Sequence, residues 1–346
     1  MRHCGLCAPS PCLPAAPRYA GRMRALPLAA LLALAAPAGA ADWAIAIHGG
    51  AGVIERGRLS AEEDTAIRAD LGAALEAGVA ILKQGGRATD AVVAAVARLE
   101  ASPWFNAGVG AVLTAAGTVE LDAAVMDGRT RAAGAVTGVA TTQSPVALAR
   151  TLMDKGPHVF LAGSSADAHA RAHGLPQVPN AHFITDRRRR QLDDLHQRNQ
   201  SAALAADQRF GTVGAVARDA AGRLAAATST GGLTGKAPGR VGDAPLIGAG
   251  TLADDRCVAV SATGSGEMFI RARVASQICD RIRFGGEAPV PAAQAALAEV
   301  KALGGEGGVI LLAPTGEPGF AFNSAGMYRG RASARLPAAI AIDADE

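Results

Sequence analysis

From residue 211 onward the chain returns four times to one local pattern, in which glycines stand among small hydroxyl or charged residues at the edge of an expected strand. The clusters are Gly211-Thr212-Val213-Gly214, Thr228-Ser229-Thr230-Gly231-Gly232, Gly239-Arg240-Val241-Gly242-Asp243 and Thr263-Gly264-Ser265-Gly266-Glu267. Glycine allows backbone to approach a neighbour closely, and strand ends collect short polar groups in one place. A chain punctuated this way folds into short buried strands with convergent ends. The 49% hydrophobic content of its 346 residues excludes a disordered tail, and the 42 glycines follow no collagen-like period.

One apolar run approaches membrane-spanning length, and it lies near the N-terminus. Arg22 and Arg24 precede the apolar stretch 26–36, and Ala38-Gly39-Ala40 offers a small-x-small cleavage site. This predicts a leader over 1–40 with a signal peptide, initiation at Met23 and an exported mature chain with no membrane segment. The leader carries Arg2, Arg18, Arg22 and Arg24 and no acidic residue, so the net charge of +3 less these four leaves −1. The basic balance therefore gives no sign of an acidic or nucleic-acid partner. Cys4, Cys7 and Cys12 leave with the leader. Cys257 and Cys279 remain, and for these both a disulfide and two buried free thiols stay open.

The apolar run from Trp43 to Ile47 ends in His48-Gly49-Gly50-Ala51-Gly52 and reads as a buried strand entering a close-packed loop. Helical spacing follows over 61–84 and 88–101, then the glycine loop Asn106-Ala107-Gly108-Val109-Gly110. Strand-like runs cover 111–114, 118–126 and 133–140, and helices are expected over 144–155 and 159–173. From 174 to 211 large apolar residues are scarce and Arg187 to Arg190 form a charge run, which predicts a flexible linker. Beyond it come a hairpin over 212–228, a strand over 256–263, helices over 267–283 and 292–303, and a hairpin over 308–323. Strands grouped between helices suggest an α+β sandwich.

The usual catalytic signals fail. Gly264-Ser265-Gly266 lacks the third glycine of a dinucleotide loop, and Gly231 to Lys236 is one residue short of a phosphate loop. No Gly-x-Ser-x-Gly elbow stands between a strand and a helix, and the seven histidines have no zinc-like spacing. Thr212 is different, because it opens the ordered part after the expected linker and follows a glycine. Cleavage before it would put a free α-amine, of pKa roughly 8, on the residue that carries the hydroxyl, supplying base and nucleophile together.

The motifs in combination resemble the N-terminal-nucleophile asparaginases of the plant type, also called isoaspartyl or β-aspartyl peptidases. The resemblance runs from about Trp43 to Tyr328 and rests on His48 to Gly52, Phe105 to Gly110, Leu121 to Gly128 and the four later clusters in order. It implies a four-layer αββα sandwich of the N-terminal nucleophile hydrolase type. It also implies self-cleavage between Gly211 and Thr212, giving an α subunit over 41–211 and a β subunit over 212–346. Thr212 is then the nucleophile and Thr230 its neighbour, with Thr263 and Gly264 stabilising the oxyanion. Arg240 is expected to take the substrate α-carboxylate and Asp243 the α-ammonium, with Val241, Gly242, Gly232, Ser265 and Gly266 lining the pocket and Asn106 in support.

The resemblance further implies no catalytic cofactor, but a structural sodium ion on a loop of Leu99, Glu100, Ser102, Phe105, Ala107 and Val109. The expected partners are L-asparagine and β-aspartyl dipeptides, and the expected assembly is a dimer of processed α/β heterodimers. Two other readings stand beside this one: a glycosylasparaginase on the same fold, and a non-catalytic small-molecule binding protein.

Overall fold

Residue parity along the strands decides which side chains meet in this molecule, because successive side chains on a strand point to opposite faces. The computed structural model describes residues 42–52, 59–198 and 211–346. The leader expected over 1–40 lies outside the described residues. The strands are β1 (Ala44–Gly52), β2 (Leu121–Asp127), β3 (Ala133–Val139), β4 (Phe160–Ala162), β5 (Val213–Arg218), β6 (Leu224–Thr230), β7 (Thr251–Asp254), β8 (Val258–Gly264), β9 (Gly307–Leu312), β10 (Gly319–Phe322), β11 (Gly326–Ser333) and β12 (Ala339–Asp343). They form an eight-stranded sheet in the order β12-β11-β1-β5-β6-β2-β3-β4 and a four-stranded sheet in the order β10-β9-β8-β7. Pairing is antiparallel except between β3 and β4. The fold is α+β.

The helices are α1 (Ala61–Lys83), α2 (Ala88–Glu100), α3 (Pro145–Lys155), α4 (Gly163–Ala172), α5 (Asp186–Gln197), α6 (Gly266–Ala272), α7 (Val274–Gly285) and α8 (Pro289–Ala302). Local chemistry sets several of their starts. Ser60 and Glu63 close a capping box on α1, and Ser144 caps α3 with Pro145 in its first turn. None of the described helices is long and apolar enough to cross a membrane.

Three buried clusters follow from the strand parity. Ile45, Ile47, Val213, Ala215, Ala225 and Ala227 pack with α1 and α2. Val258, Val260 and Ala262 pack with α6, α7 and α8. The intervening residues of both sheets, among them Ala44, Ala46, Val216, Ala226, Ala259 and Ile310, form a third cluster. Along β1, β6 and β8 this third face changes character toward the strand C-terminus. Ala44 and Ala46 give way to His48, Leu224 and Ala226 to Thr228 and Thr230, and Ala259 to Ser261 and Thr263. Strand β5 runs opposite to β1, so Thr212 at its N-terminal end joins the same polar end. The alternation that builds the core thus assembles the site.

Several expectations need correction, and one open question is answered. The flexible linker over 174–211 is in large part structured: a 3-10 turn spans Asn180–Phe183 and α5 follows, capped by Thr185. Leu192 and Leu195 are buried, as is Arg188, whose Nε donates to the Gly110 carbonyl at 2.5 Å. The remainder, 199–210, lies outside the described residues. The strand expected over 111–114 is irregular, with Thr114 bridging to Lys236. The helix expected over 267–283 is two helices, separated where Arg273 takes a left-handed φ of 50°. The open question of the cysteines is answered by a Cys257–Cys279 disulfide with Cα atoms 5.3 Å apart, tying the start of β8 to α7.

Candidate active site

Thr212 immediately precedes β5 and stands beside Thr230, the last residue of β6. The register pairs Val213 with Ser229, which places Thr212 across from Thr230 on the polar end between the sheets. Thr212 Oγ1 donates to Thr230 Oγ1 at 3.0 Å, and Thr230 Oγ1 also accepts from the Gly232 amide at 3.0 Å. Gly211 is buried. A methyl group on Gly50, whose φ is 118°, would lie 2.5 Å from the Gly211 Cα, so only glycine serves there.

Asn106 organises the other side of Gly211. Its amide donates to the Gly211 carbonyl at 3.0 Å, and its Nδ2 donates to the Gly232 carbonyl at 2.7 Å. Its Oδ1 accepts from the Val112 amide at 2.9 Å. Thr263 is fully buried, and its Oγ1 accepts from the amide of Ala51, next to Gly50, at 3.4 Å. The chain thus brings Gly211, Thr212, Thr230, Thr263, Gly264 and Asn106 to one end of the two sheets.

The second group sits beyond Gly232. There φ is 86°, and a methyl group would lie 2.8 Å from Lys236 Cδ and 3.3 Å from Arg240 Nη1. Arg240, the half-buried Val241, Gly242 and the buried Asp243 belong to a loop, while Ser265 and Gly266 open α6. Burial pushes the Asp243 carboxyl up to about 7, opposed by its own backbone amide and by Arg240. Asp243 Oδ2 has no hydrogen-bond partner among the described residues. Arg240 is not free, because its guanidinium pairs with Glu267. The Ser265 hydroxyl is committed as well, accepting from the Glu306 amide at 3.0 Å.

Several participants carried no role in the sequence reading. His48 is fully buried, with Nε2 2.8 Å from Ser261 Oγ, and Ser261 also contacts Thr228 Oγ1 at 2.8 Å. Burial lowers the imidazole pKa to about 3, against a weaker raising contact from the Thr212 backbone, so this histidine is uncharged. Lys236 is buried too, donating to the Glu120 carbonyl at 2.9 Å with Asp122 Oδ2 3.9 Å away. The His48-Gly49-Gly50 run and the rejected phosphate-loop lysine were the available signals for these two residues. Glu267 was in plain view as the last residue of the fourth cluster.

The loop Leu99 to Val109 wraps around glycines. A methyl group on Gly110, whose φ is 91°, would lie 2.6 Å from the Pro103 carbonyl and 2.9 Å from that of Phe105. The Glu100 carbonyl accepts from Val109 at 2.7 Å and the Leu99 carbonyl from Ser102 at 3.2 Å. Backbone carbonyls are the kind of ligand that a hard cation such as sodium takes. The Glu100 carboxylate instead accepts from Ser144, Ser229 and Val146, and burial pushes it up to about 7.

A half-buried threonine hydroxyl at the end of a sheet, with the buried Asp243 and the paired Arg240 beyond Gly232, suits an amide hydrolase as the class. The chain belongs to the asparaginase family, whose model matches residues 41–341. It is 47% identical over 292 residues to the isoaspartyl peptidase of Salmonella typhimurium, covering 82% of this chain and 93% of the relative. The isoaspartyl peptidase of Escherichia coli is 46% identical over 292 residues, covering 82% and 91%. The human isoaspartyl peptidase/L-asparaginase is 40% identical over 275 residues, covering 79% and 87%.

Proposed function

We propose that this chain is a self-processing threonine hydrolase that converts L-asparagine to aspartate and ammonia and removes N-terminal β-aspartyl residues from peptides. The observation that carries the proposal is the 3.0 Å contact of Thr212 Oγ1 with Thr230 Oγ1, directly after the buried Gly211. Both activities break an amide bond to the same β-carbonyl, and they differ only in the leaving amine.

Processing comes first. The Thr212 oxygen attacks the Gly211 carbonyl, whose oxygen accepts the Asn106 amide proton at 3.0 Å. The Gly211–Thr212 C–N bond breaks, the hydroxyl proton goes to the departing nitrogen, and water hydrolyses the resulting ester. Gly211 becomes a carboxylate, while Thr212 regains its hydroxyl and gains an α-amine that serves as base. Thr230, 3.0 Å from the Thr212 oxygen, orients it.

In turnover the Thr212 oxygen attacks the substrate β-carbonyl, with the Thr263 hydroxyl and the Gly264 amide receiving the oxyanion. Donors of this kind contribute about 3 to 4 kcal/mol each in comparable sites. Arg240 takes the α-carboxylate and the ionised Asp243 the α-ammonium, with Gly232, Val241, Gly242, Ser265 and Gly266 shaping the pocket. The amine leaves with a proton, and water releases aspartate from the ester.

The wider architecture follows the same reading. The three buried clusters support a four-layer αββα sandwich. The carbonyls of Leu99, Glu100, Ser102, Phe105, Ala107 and Val109 would hold sodium in a structural role. The cleavable leader and the cystine support export to an oxidising compartment. The processed chains, 41–211 and 212–346, assemble as a dimer of heterodimers.

The test is turnover of L-asparagine, a β-aspartyl dipeptide and a glycosylated asparagine by the processed protein. Release of ammonia and of the free amino acid from the first two is expected. Turnover of the glycosylated substrate alone would overturn the assignment in favour of a glycosylasparaginase.

A further inference from the structure

Among the described residues, Arg240 is held by one edge of its guanidinium. Its Nε donates to Glu267 Oε1 at 2.9 Å and its Nη2 to Glu267 Oε2 at 2.8 Å, a bidentate fork on the outer side of the guanidinium. The other edge, formed by Nη1 and Nη2, faces glycines. A methyl group on Gly242 would lie 2.8 Å from Nη1, and one on Gly266 would lie 2.8 Å from Nη2 and 3.0 Å from Asp243 Oδ1. Arg240 Nη2 and Asp243 Oδ1 thus both flank the space beside Gly266, which carries no side chain.

We propose that Glu267 is a positioning residue for substrate recognition: it clamps the outer edge of Arg240, holds the guanidinium off Asp243 and presents the Nη1–Nη2 edge to the substrate α-carboxylate. The inference rests on the reading of Arg240 as the carboxylate anchor.

Two effects of Glu267 oppose each other. Its negative charge weakens the attraction of Arg240 for an anion, whereas its fork fixes where the guanidinium points. The Glu267 side chain is 52% exposed, so solvent screens its charge, while the Arg240 side chain is only 15% exposed and fixed within the pocket. The alternative partner for a released Arg240 is Asp243, whose buried Oδ2 has no hydrogen-bond partner among the described residues. An Arg240–Asp243 pair would satisfy that oxygen and remove both of the charges that read the substrate. Orientation therefore outweighs the local loss of positive charge.

The experiment is a double-mutant cycle on purified, processed protein with L-asparagine, using Glu267→Ala, Arg240→Ala and the double variant. Glu267→Ala is expected to raise KM about 10-fold with kcat within about 3-fold, the scale of one charge-assisted hydrogen bond. In the Arg240→Ala background it should have no further effect. Glu267→Gln keeps the volume and one acceptor, so it should fold and raise KM by a smaller factor. An unchanged or lower KM in the Glu267 variants would overturn the proposal, because charge would then outweigh orientation. A Glu267→Ala effect that persists without Arg240 would also overturn it, by exposing a general structural role. If Arg240→Ala itself leaves KM unchanged, the anchor reading fails first and the inference with it.

Discussion

The two ends of the site are built from different materials. Around Thr212 the contacts are neutral: hydroxyls, backbone amides, glycines and a histidine that burial keeps uncharged. Around Asp243 the groups are ionic, with Arg240, Glu267, Lys236 and Asp122 each influencing the carboxylates near them. A nucleophile that carries its own amine needs a base close to its ordinary pKa, and a fixed charge beside it would move that value. A zwitterionic substrate needs the opposite, two fixed charges kept apart. Under the proposed function the contrast divides the labour: the neutral end would make and break bonds, and the charged end would choose what is bound.

Changes at the neutral end should therefore act on kcat and changes at the charged end on KM. The largest effect is expected for Thr212→Ala, which should lower turnover by at least about 10⁴-fold, because no other group supplies the nucleophile. Substantial residual activity measured by ammonia release would break the comparison. Arg240→Ala should raise KM by roughly 10- to 100-fold, the worth of hydrogen bonds to a charged group, with a smaller change in kcat. A loss confined to kcat would assign Arg240 to the wrong end.

The smallest effect is expected from pH. Asp243 must be ionised to hold the α-ammonium, and its pKa in the empty site is raised to about 7 by burial. Affinity for the product L-aspartate should therefore weaken as pH falls below 7, by up to about 10-fold per unit. The sign for stability is the reverse. A carboxyl raised above its unfolded value favours the folded state when protonated, so this contribution is full below about pH 4 and is lost as pH rises through 7. An inhibition constant that stays flat between pH 7 and 5 would contradict the role of Asp243.

Much of this was legible in the residues themselves. Helices α1 and α2 announce themselves by apolar spacing, and the paired strands β5 and β6 by a turn containing Gly222. Helix α5 did not, because its buried face has only Leu192 and Leu195 and its third buried residue is Arg188. That arginine is satisfied by the Gly110 carbonyl, a contact 78 positions away that local pattern cannot foretell. Strand β11 escaped for a similar reason: its glycines and arginines become a strand only through pairing with β1 and β12. Thr212 is singled out by its place behind a glycine after the expected linker, and Arg240 and Asp243 by the resemblance of the ordered glycine clusters to a family. His48 and Glu267 are noticed only through their contacts with Ser261 and Arg240, and such contacts need distances. The disulfide likewise needed the approach of a strand start to a helix.

The central claim is that the chain cuts itself to create its nucleophile. Intact-mass analysis of the freshly purified and incubated protein, under reducing conditions, tests it most directly. The account predicts two chains, the second beginning at Thr212, and a single uncut chain for Thr212→Ala. A folded wild-type protein that stays uncut after long incubation, or one cut at another bond, would contradict it.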